Sequence, residues 1–456
     1  MTAPKAPQNR PLVAGTEPHD RRHAGAGHPP VDPGQHGSAP VVALGNEAHI
    51  QCPYPLYHNL RQGNALARDP AVGMVVSGYR DLVELAKNTR VFSSSITEDG
   101  RGPRHMGVGT DPVPADVEAI FSDAHTMVNA LFTADPPVHT RHRKLVSKAL
   151  STHRIRALEP QVAGVVDTLI DGFFETGSLD VLPDFAVPLP VTVIAAILGV
   201  DAEDLWTFKR WGDLMISGNI DVLSHQQRLE VAAAVVDFHR YFLPRIQARR
   251  EQPTDDLLSA LVNAEIDGEP ALRDEELLPI IDQILLAGHE TTTNLITNGL
   301  VILMHDPQLL ARLQDDPGCI DAFAEEVLRW DPPIHCTYRR ATEDASIHGV
   351  PITAGDMVIP LWAGANFDPE VFPDPETFDI DRDNVRAHMG FGYGPHFCVG
   401  AELARLEARL AFRGLLRRLP RLQLDREQSD LRRLPSFASQ GYHRVVLSFD
   451  TSPQPQ

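Results

Sequence analysis

The sequence predicts a mainly α-helical fold with a small β region. Helical periodicity recurs in many segments, strand-like segments are short and cluster late, and we find neither a βαβ alternation nor an internal repeat. The 456 residues are 43% hydrophobic and 22% charged, which suffices for a large core. Residues 1–40, rich in Pro, Gly and His, are predicted to be a disordered tail, and 41–456 a single domain.

Hydrophobic periodicity places the individual elements. Helices are predicted at 79–87, 138–150, 159–174, 191–198, 228–249, 255–264, 275–304, 306–315, 319–330 and 401–410. Strands are predicted at 73–77, at 345–347 beside 350–352, at 357–360 and at 445–449. The longest helix should end at Asp306-Pro307, because the residue before a proline disfavours helical backbone.

Charge, hydropathy and cysteine spacing exclude several classes of protein. A net charge of −20 makes a nucleic-acid partner unexpected. Residues 1–15 contain no apolar stretch of signal-peptide length and no 18-residue apolar run occurs, so we expect a cytoplasmic protein without a membrane anchor. Four widely spaced cysteines without a C-x-x-C pair argue against a disulfide framework or a structural zinc site.

The segment 391–400 contains the most specific pattern in the chain, with Cys398 just before a helical segment. A helix N-terminus favours a thiolate through its dipole and its free N–H groups. Glycines at 392, 394 and 400 let the backbone approach a flat ligand closely. Cys398 could therefore ligate heme iron as a thiolate. The alternative is a buried free cysteine in a Gly-rich turn.

The middle of the longest helix is unusual, since Ala287-Gly288-His289-Glu290-Thr291 combines small, acidic and hydroxyl residues. Small residues at 287 and 288 would open a groove for a diatomic molecule beside a cofactor. The Glu290 carboxylate and the Thr291 hydroxyl could then deliver protons to it. The alternative is a Thr291 hydroxyl bonded back to the Ala287 carbonyl and a Glu290 that faces solvent.

These two motifs together resemble those of the cytochrome P-450 family. Phe391-x-x-Gly-x-His396-x-Cys398-x-Gly400 is similar to that family's heme-binding loop, and Ala287-Gly288-x-Glu290-Thr291-Thr is similar to its oxygen-binding motif, about 110 residues upstream. The resemblance spans about residues 50–450. It implies the cytochrome P-450 fold, heme b (iron protoporphyrin IX) with Cys398 as its iron ligand, and roles for Glu290 and Thr291 in oxygen activation.

The resemblance also implies roles for charged residues. His139 and Arg143 resemble the pair that reaches one heme propionate, and Arg339, preferred by spacing over the adjacent Arg340, resembles the second propionate arginine. His396 is a fourth candidate. For each, the alternative is a solvated surface charge. Glu-x-x-Arg occurs three times, at 98/101, 326/329 and 402/405, and Glu326 with Arg329 resembles the family's structural pair.

The implied reaction inserts one oxygen atom from O2 into a small apolar organic substrate. The substrate pocket is expected to be lined by loop 92–114 and by Ile284, Ala287, Ile334, Thr337, Phe437 and Ala438. His335-Cys336 departs from this apolar pattern, because its residues are polar or soft. Substrate identity stays open. Alternatives to the monooxygenase are a peroxide-driven heme-thiolate peroxygenase and a non-enzymatic heme sensor.

Electrons must come from another protein, because no flavin- or nicotinamide-binding fingerprint is found. We expect this protein to be a monomer that receives electrons from a ferredoxin or flavodoxin and its reductase. An acidic donor should dock on the cysteine side of the heme, where basic residues concentrate. These are Arg141, Arg143, Lys144, Lys148, Arg405 and Arg409.

Overall fold

The structure is a computed structural model that describes residues 12–13, 39–95, 113–124, 128–220, 223–265 and 270–451. The predicted disordered tail, apart from 12–13 and 39–40, lies outside the described residues. So do positions 96–112 of the predicted pocket loop and the first of the three Glu-x-x-Arg pairs.

Helices dominate the described residues. They are α1 (Glu47–Gln51), α2 (Tyr54–Gln62), α3 (Tyr79–Lys87), α4 (Ala115–Phe121), α5 (Val138–Ala149), α6 (Thr152–Ala157), α7 (Glu159–Phe173), α8 (Pro188–Ile197), α9 (Leu205–Ile220), α10 (His225–Glu251), α11 (Leu257–Val262), α12 (Asp274–His305), α13 (Pro307–Asp315), α14 (Ile320–Trp330), α15 (Trp362–Ala365) and α16 (Ala401–Arg418). The mainly α-helical prediction is confirmed.

The strands are short and form small sheets. They are β1 (Leu12–Val13), β2 (Leu66–Asp69), β3 (Gly73–Val76), β4 (Phe92–Ser93), β5 (Ser178–Asp180), β6 (Arg339–Ala341), β7 (Ala345–Ile347), β8 (Val350–Ile352), β9 (Met357–Pro360), β10 (Thr377–Phe378), β11 (Gln423–Leu424), β12 (Asp430–Arg433), β13 (Tyr442–Arg444) and β14 (Val446–Ser448). The largest sheet has the order β2-β3-β9-β6-β4, and the predicted hairpin is the antiparallel pair β7–β8.

The sheet of five strands joins distant parts of the chain. β3 pairs in parallel with β9, while β6 lies antiparallel between β9 and β4. Its apolar face packs with α3 into a core that includes Met74, Leu82 and Val358. This sheet holds Arg339, on β6, at a fixed distance from the helical part of the molecule.

α12 is the central element of the helical part. Its 32 residues span about 48 Å at 1.5 Å per residue. Three acidic residues open its first turn, where the helix dipole favours negative charge, and it ends at His305, just before Asp306-Pro307 as predicted. Gly299 lets α16 approach α12 closely, because a Cβ at position 299 would lie 2.5 Å from Phe412 Cζ. The helix that follows the cysteine therefore packs directly on α12.

α9 is a helix that the sequence analysis did not predict. Its sequence mixes aromatic and polar residues with Gly212 and Gly218, which weaken both helical propensity and periodicity. Packing accounts for Gly212, since a Cβ there would lie 3.1 Å from His289 Cε1 on α12. Tertiary contact thus stabilises a helix whose local propensity is poor.

Candidate active site

The loop that carries Cys398 has a backbone that the glycine pattern anticipates. Gly392 and Gly394 adopt positive φ angles of 70° and 73°, and the Cys398 N–H donates to the Phe391 carbonyl at 2.9 Å. Cys398 is a free, partly buried thiol. Burial raises its pKa, while the backbone N–H of Gly400 and the nearby guanidinium groups of Arg143 and Arg405 act to lower it.

A buried ionic network supports this loop from the side of α14. Glu325 accepts from His388 at 2.9 Å and from Arg405 at 2.6 Å, and the Arg405 guanidinium lies 4.8 Å from the centre of the Phe391 ring. Burial alone would raise the pKa of Glu325, but the two donors lower it to about 2. Phe391 is thus fixed by a network that the sequence analysis missed, because Glu325 differs from its neighbour Glu326 in no sequence pattern.

The four predicted propionate donors come together beside the loop. The imidazole rings of His139 and His396 stack with centroids 3.9 Å apart, and Arg143 donates to the carbonyl of Phe397, next to Cys398. Burial lowers the pKa of His139 to about 4 and that of His396 to about 2, and the positive charges of Arg143 and Arg339 contribute to both shifts. Both imidazoles are therefore neutral near pH 7.

Arg339 and Arg340 point to opposite faces of β6, as expected of adjacent strand residues. Arg339 is 5% exposed and donates to the Tyr338 carbonyl at 2.7 Å, whereas Arg340 is half-buried and its guanidinium Nε lies 3.4 Å from the Ser95 carbonyl oxygen. Burial lowers the pKa of Arg339 to about 10. The contrast supports the choice of Arg339 over Arg340.

Ser93, the last residue of β4, and Ser94, which follows it, connect β4 to this cluster. The Ser94 hydroxyl hydrogen-bonds to His396 Nε2 at 3.0 Å, and the Ser94 N–H donates to Asp135 at 2.8 Å. The Ser93 hydroxyl donates to the same carboxylate. Asp135, just before α5, therefore ties β4 to the helix that carries His139. Sequence reasoning missed the serines, because serine in a loop has no distinguishing pattern.

The central segment of α12 combines an open face with a close helix contact. Ala287 is exposed although most of its helix is buried. A Cβ on Gly288 would lie 2.6 Å from Ile194 Cδ1, so this glycine permits α8 to pack against α12. Of the two small residues predicted to open a groove, Ala287 lies on the open face and Gly288 at a helix contact.

Thr291 makes the hydrogen bond that the structural alternative expects, whereas Glu290 does not face solvent as that alternative expects. The Thr291 hydroxyl donates to the Ala287 carbonyl at 2.6 Å, as the structural alternative expects. Glu290 is half-buried rather than free in solvent, and it accepts a hydrogen bond from the Ser439 hydroxyl at 2.8 Å. Since a hydroxyl has one donor and two lone pairs, Thr291 Oγ1 still has acceptor capacity.

The predicted pocket residues lie near this part of α12. Ile334 forms an isolated antiparallel bridge with Ser439, which follows Phe437 and Ala438 in the segment 434–441. The Thr337 hydroxyl accepts from Trp362 Nε1 at 3.0 Å, and Ile284 is 7% exposed on α12. The residues from 334 to 339 thus run from the Glu290 region to the propionate cluster.

The His335 side chain has a structural environment. Its Nδ1 lies 2.7 Å from the Tyr57 hydroxyl, and its Nε2 lies 3.8 Å from Asp331, which Arg433 contacts at 2.7 Å. His335 is 1% exposed, and burial lowers its pKa. His335, an atypical residue for an apolar pocket, therefore belongs to a buried polar network with Tyr57, Asp331 and Arg433.

The pair Glu326–Arg329 is fully buried, as its apolar-backed helix suggests. Both Glu326 oxygens accept from Arg329 at 2.7 Å, and the guanidinium also donates to the carbonyls of Asn366, Pro375 and Thr377. Glu402–Arg405, by contrast, is a partly exposed ion pair of 3.1 Å. The two pairs therefore differ in environment although they share a spacing.

The described residues fit a heme group. Within the described part of the chain, the buried Nδ1 of His139 has no hydrogen-bond partner and Arg339 has no carboxylate within 4.0 Å. Such donors suit the two heme propionates. Without an anionic partner, these donor groups would be buried without compensation. The free thiol of Cys398 would supply the iron ligand.

Comparison with known proteins decides the family. The family model for Cytochrome P450 matches residues 204–316 and 319–440. The chain belongs to the cytochrome P450 family. It is 38% identical over 403 residues to cytochrome P450 monooxygenase PikC of Streptomyces venezuelae, which covers 87% of this chain and 92% of that protein. It is 38% identical over 380 residues to the 6-deoxyerythronolide B hydroxylase of Saccharopolyspora erythraea, covering 82% and 90%.

Solved P450 structures share the fold as well as the sequence. CYP109Q5 from Chondromyces apiculatus has a TM-score of 0.78 and 33% identity, covering 90% of this chain and 99% of that chain. P450BioI, solved in complex with an acyl carrier protein ligated to hexadec-9Z-enoic acid, has a TM-score of 0.77 and 31% identity, covering 89% and 99%. The predicted P450 fold is confirmed, and the protein is a bacterial-type P450 monooxygenase.

What the family uses therefore applies to this P450: a heme-thiolate cofactor, O2 and redox partners. Among the described residues, no helix combines the length and apolar composition needed to cross a membrane.

The basic residues predicted to form the donor-docking surface of this P450 are mostly engaged in the structure. Arg141 contacts Glu276 at 2.6 Å, Arg405 contacts Glu325 at 2.6 Å, and Arg409 contacts Glu159 at 3.2 Å. Arg143 and Lys148 donate to backbone carbonyls. Lys144 is exposed, and no described acidic group lies within 4.0 Å of it.

Proposed function

We propose that this P450 binds heme b through Cys398 and hydroxylates a small apolar organic substrate with electrons from a ferredoxin or flavodoxin and its reductase. The observation that carries the proposal is the placement of Glu290 and Thr291 beside the open Ala287 face of α12, next to the predicted pocket residues. An acid and a hydroxyl so placed are what proton delivery requires.

The residues around the loop would hold the cofactor. Cys398 would ligate the iron, and Arg143, Arg339, His139 and His396 would bind the two propionates, the arginines as charged donors and the neutral imidazoles through their N–H groups. When bound, heme activates O2, so that one oxygen atom enters a substrate C–H bond and the other leaves as water.

Glu290 and Thr291 would handle the protons that the reaction consumes. Thr291 Oγ1 keeps its own proton on the Ala287 carbonyl, so it accepts a hydrogen bond from an incoming proton carrier. Glu290 would take a proton from solvent, give it to a water molecule that donates a hydrogen bond to Thr291 Oγ1, and return to its carboxylate form. That water molecule would in turn give a proton to the oxygen atom that leaves as water. Consecutive helical residues lie about 100° apart, so the transfer needs a swing of the carboxylate or a bridging water.

The pocket residues give the substrate its apolar character. Ile284, Ala287, Ile334, Phe437 and Ala438 are apolar, and the Thr337 hydroxyl accepts a hydrogen bond from Trp362 Nε1. Two relatives are named as a 6-deoxyerythronolide B hydroxylase and as a steroid C26-monooxygenase of Mycobacterium tuberculosis. Their names support a substrate of the size and apolar character of a steroid.

A spectroscopic experiment tests the iron ligand. The reduced, CO-treated protein should show the long-wavelength Soret band that thiolate ligation produces, and Cys398→Ala should lose it. Cys336→Ala is the matched control, since that cysteine is buried away from the loop and should keep the band. A Cys398→Ala protein that retains the band would refute the assignment.

A coupling experiment tests the relay and separates monooxygenase from peroxygenase. Thr291→Ala should still bind heme and substrate but convert reducing equivalents into hydrogen peroxide, because protons no longer arrive in order. A loss of about tenfold or more in product per NAD(P)H is expected. Unchanged yields in both Thr291→Ala and Glu290→Gln, with turnover sustained by peroxide alone, would favour the peroxygenase instead.

A further inference from the structure

The hydrogen bond between Glu290 and Ser439 links the proton-carrying acid to the pocket. Ser439 is 8% exposed, and its hydroxyl donates to Glu290 Oε1 at 2.8 Å. It lies in the segment 434–441 between β12 and β13, which we call the tip, directly after Phe437 and Ala438. The tip is held in place by backbone bonds from His335 N–H to Ala438 O at 2.9 Å and from Gln440 N–H to Pro333 O at 2.8 Å.

Three polar residues of α12 face the tip at successive helical turns. Glu290, Asn294 and Asn298 are spaced four apart and therefore lie along one side of the helix. Asn294 Nδ2 lies 3.5 Å from the Ser439 hydroxyl, while Asn298 Nδ2 lies 3.1 Å from the Asp331 carbonyl and 3.5 Å from that of Gln440. The tip is thus fastened to α12 at three turns, and Glu290 is the member of the row nearest Ala287.

The contact constrains a carboxylate that would otherwise be free to rotate. A glutamate has three side-chain torsions, and a buried hydroxyl donor fixes one of its two oxygens. Since the backbone of Ser439 belongs to the tip, the position of its hydroxyl relative to Thr291 depends on the tip as well as on α12. Among the described residues, the hydrogen bond from Ser439 engages Oε1 of Glu290 and not Oε2.

We propose that Ser439 is a positioning residue that holds the Glu290 carboxylate in its proton-delivering orientation. The inference rests on the proposed function, because it assigns a supporting residue to the same relay. Phe437 and Ala438 lie on the same tip as Ser439. A substrate that contacts them would therefore influence the orientation of the Glu290 carboxylate.

The test compares Ser439→Ala, Ser439→Thr and Glu290→Gln in the heme-loaded protein. Ser439→Ala should raise the ratio of peroxide to product about tenfold, since it removes one hydrogen bond to a charged group. Ser439→Thr keeps the hydroxyl and should restore coupling. Ser429→Ala is the matched control, since that hydroxyl of the same β region donates to backbone carbonyls.

An infrared measurement gives a readout that does not depend on turnover. The carboxylate band that disappears in Glu290→Gln identifies Glu290, and that band should shift in Ser439→Ala and return in Ser439→Thr. A merely structural role for Ser439 would leave the band in place.

The outcomes separate the inference from the function beneath it. If Glu290→Gln uncouples turnover and Ser439→Ala does not, the inference is overturned while the relay stands. If Glu290→Gln itself leaves coupling unchanged, the relay fails and the inference fails with it. If Ser439→Ala adds to the effect of Glu290→Gln in the double variant, Ser439 acts elsewhere and the inference is overturned. A double variant no worse than Glu290→Gln alone supports it.

Discussion

Single residues with the same sequence pattern acquire different roles from their surroundings. Glu326–Arg329 and Glu402–Arg405 share a spacing, yet one is a buried pair with three further carbonyl partners and the other a partly exposed ion pair. The apolar background of α14 predicted that difference. The Glu290 contact could not be predicted, because its partner Ser439 lies 149 residues away and serine has no distinguishing spacing.

Glu407 on α16 is a further residue defined by its surroundings. It is 1% exposed, and among the described residues its Oε2 has no hydrogen-bond partner. Burial raises the pKa of Glu407 to about 8, so the folded protein holds it protonated near pH 7. The unfolded chain releases that proton at its ordinary pKa near 4.3.

Glu407→Gln should therefore make the free energy of unfolding less dependent on pH. In the parent protein the stabilisation from the neutral acid is complete at low pH and declines as the pH rises to about 8. The decline amounts to roughly 4 kcal/mol between pH 5 and 8, about 1.4 kcal/mol for each pH step. Denaturant titrations at several pH values measure it. Glu402→Gln, on the exposed face of the same helix, should leave the slope unchanged, and parallel curves for the parent and Glu407→Gln would contradict the burial argument.

At the scale of elements, the sequence predicted best the helices that are long, strongly periodic and delimited. α12 and the hairpin β7–β8 agree closely with expectation, because proline, acidic residues and turn glycine mark their boundaries. α9 was missed because Gly212 serves a contact with α12, and a contact partner does not appear in local periodicity. β2 was missed for a related reason, since it is four residues long and paired within a sheet drawn from remote segments.

The contact between Gly288 of α12 and Ile194 of α8 gives a prediction at this scale. Gly288→Ala should lower the free energy of unfolding by about 1 kcal/mol. The added methyl group must displace Ile194, and the strain of that displacement exceeds the gain in helix propensity. Ile194→Val should be less costly in the Gly288→Ala background than in the parent, with a coupling of about 1 kcal/mol in a double-mutant cycle. Gly164→Ala on α7 is the control, since nothing lies within 4 Å of its added Cβ and it should stabilise slightly. Additive effects of the two changes would show that the helices do not meet at this point.

At the scale of the whole molecule, the basic side chains near the cysteine loop mostly contact other groups of the same protein. The net charge is −20, yet most of the basic side chains near the cysteine loop already hold carboxylates or carbonyls of the protein itself. Sequence reasoning could locate these cations but not their partners. Glu276, Glu325 and Glu159 come from three other helices, so the docking surface depends on fewer charges than their number suggests.

Lys144→Glu should slow electron transfer from an acidic ferredoxin by roughly three- to tenfold at low salt. The effect should fade as ionic strength rises, because a Debye length of about 8 Å at physiological salt screens the steering. Stopped-flow reduction measures the rate, and peroxide-driven turnover should not change. Arg210→Glu, the same charge change on α9, serves as the control. Equal slowing in both variants would show a response to net charge rather than a local docking surface.

The pairing of β5 with β14 has a consequence for how the cell makes this enzyme. Ser178–Asp180 can pair only after Val446–Ser448 has been synthesised, and β3 can pair with β9 only after β9 has been synthesised. In each sheet, more than 250 residues separate the two paired strands along the chain. Such remote pairings form slowly and leave unfinished edges exposed while they are absent. Cys398 and β9 leave the ribosome after α12, and β14 leaves it after Cys398. Since Cys398 would ligate the iron, heme would bind only after the first 398 residues have been synthesised, so the supply of heme would meet a nascent chain in which α12, α14 and β9 have already been made.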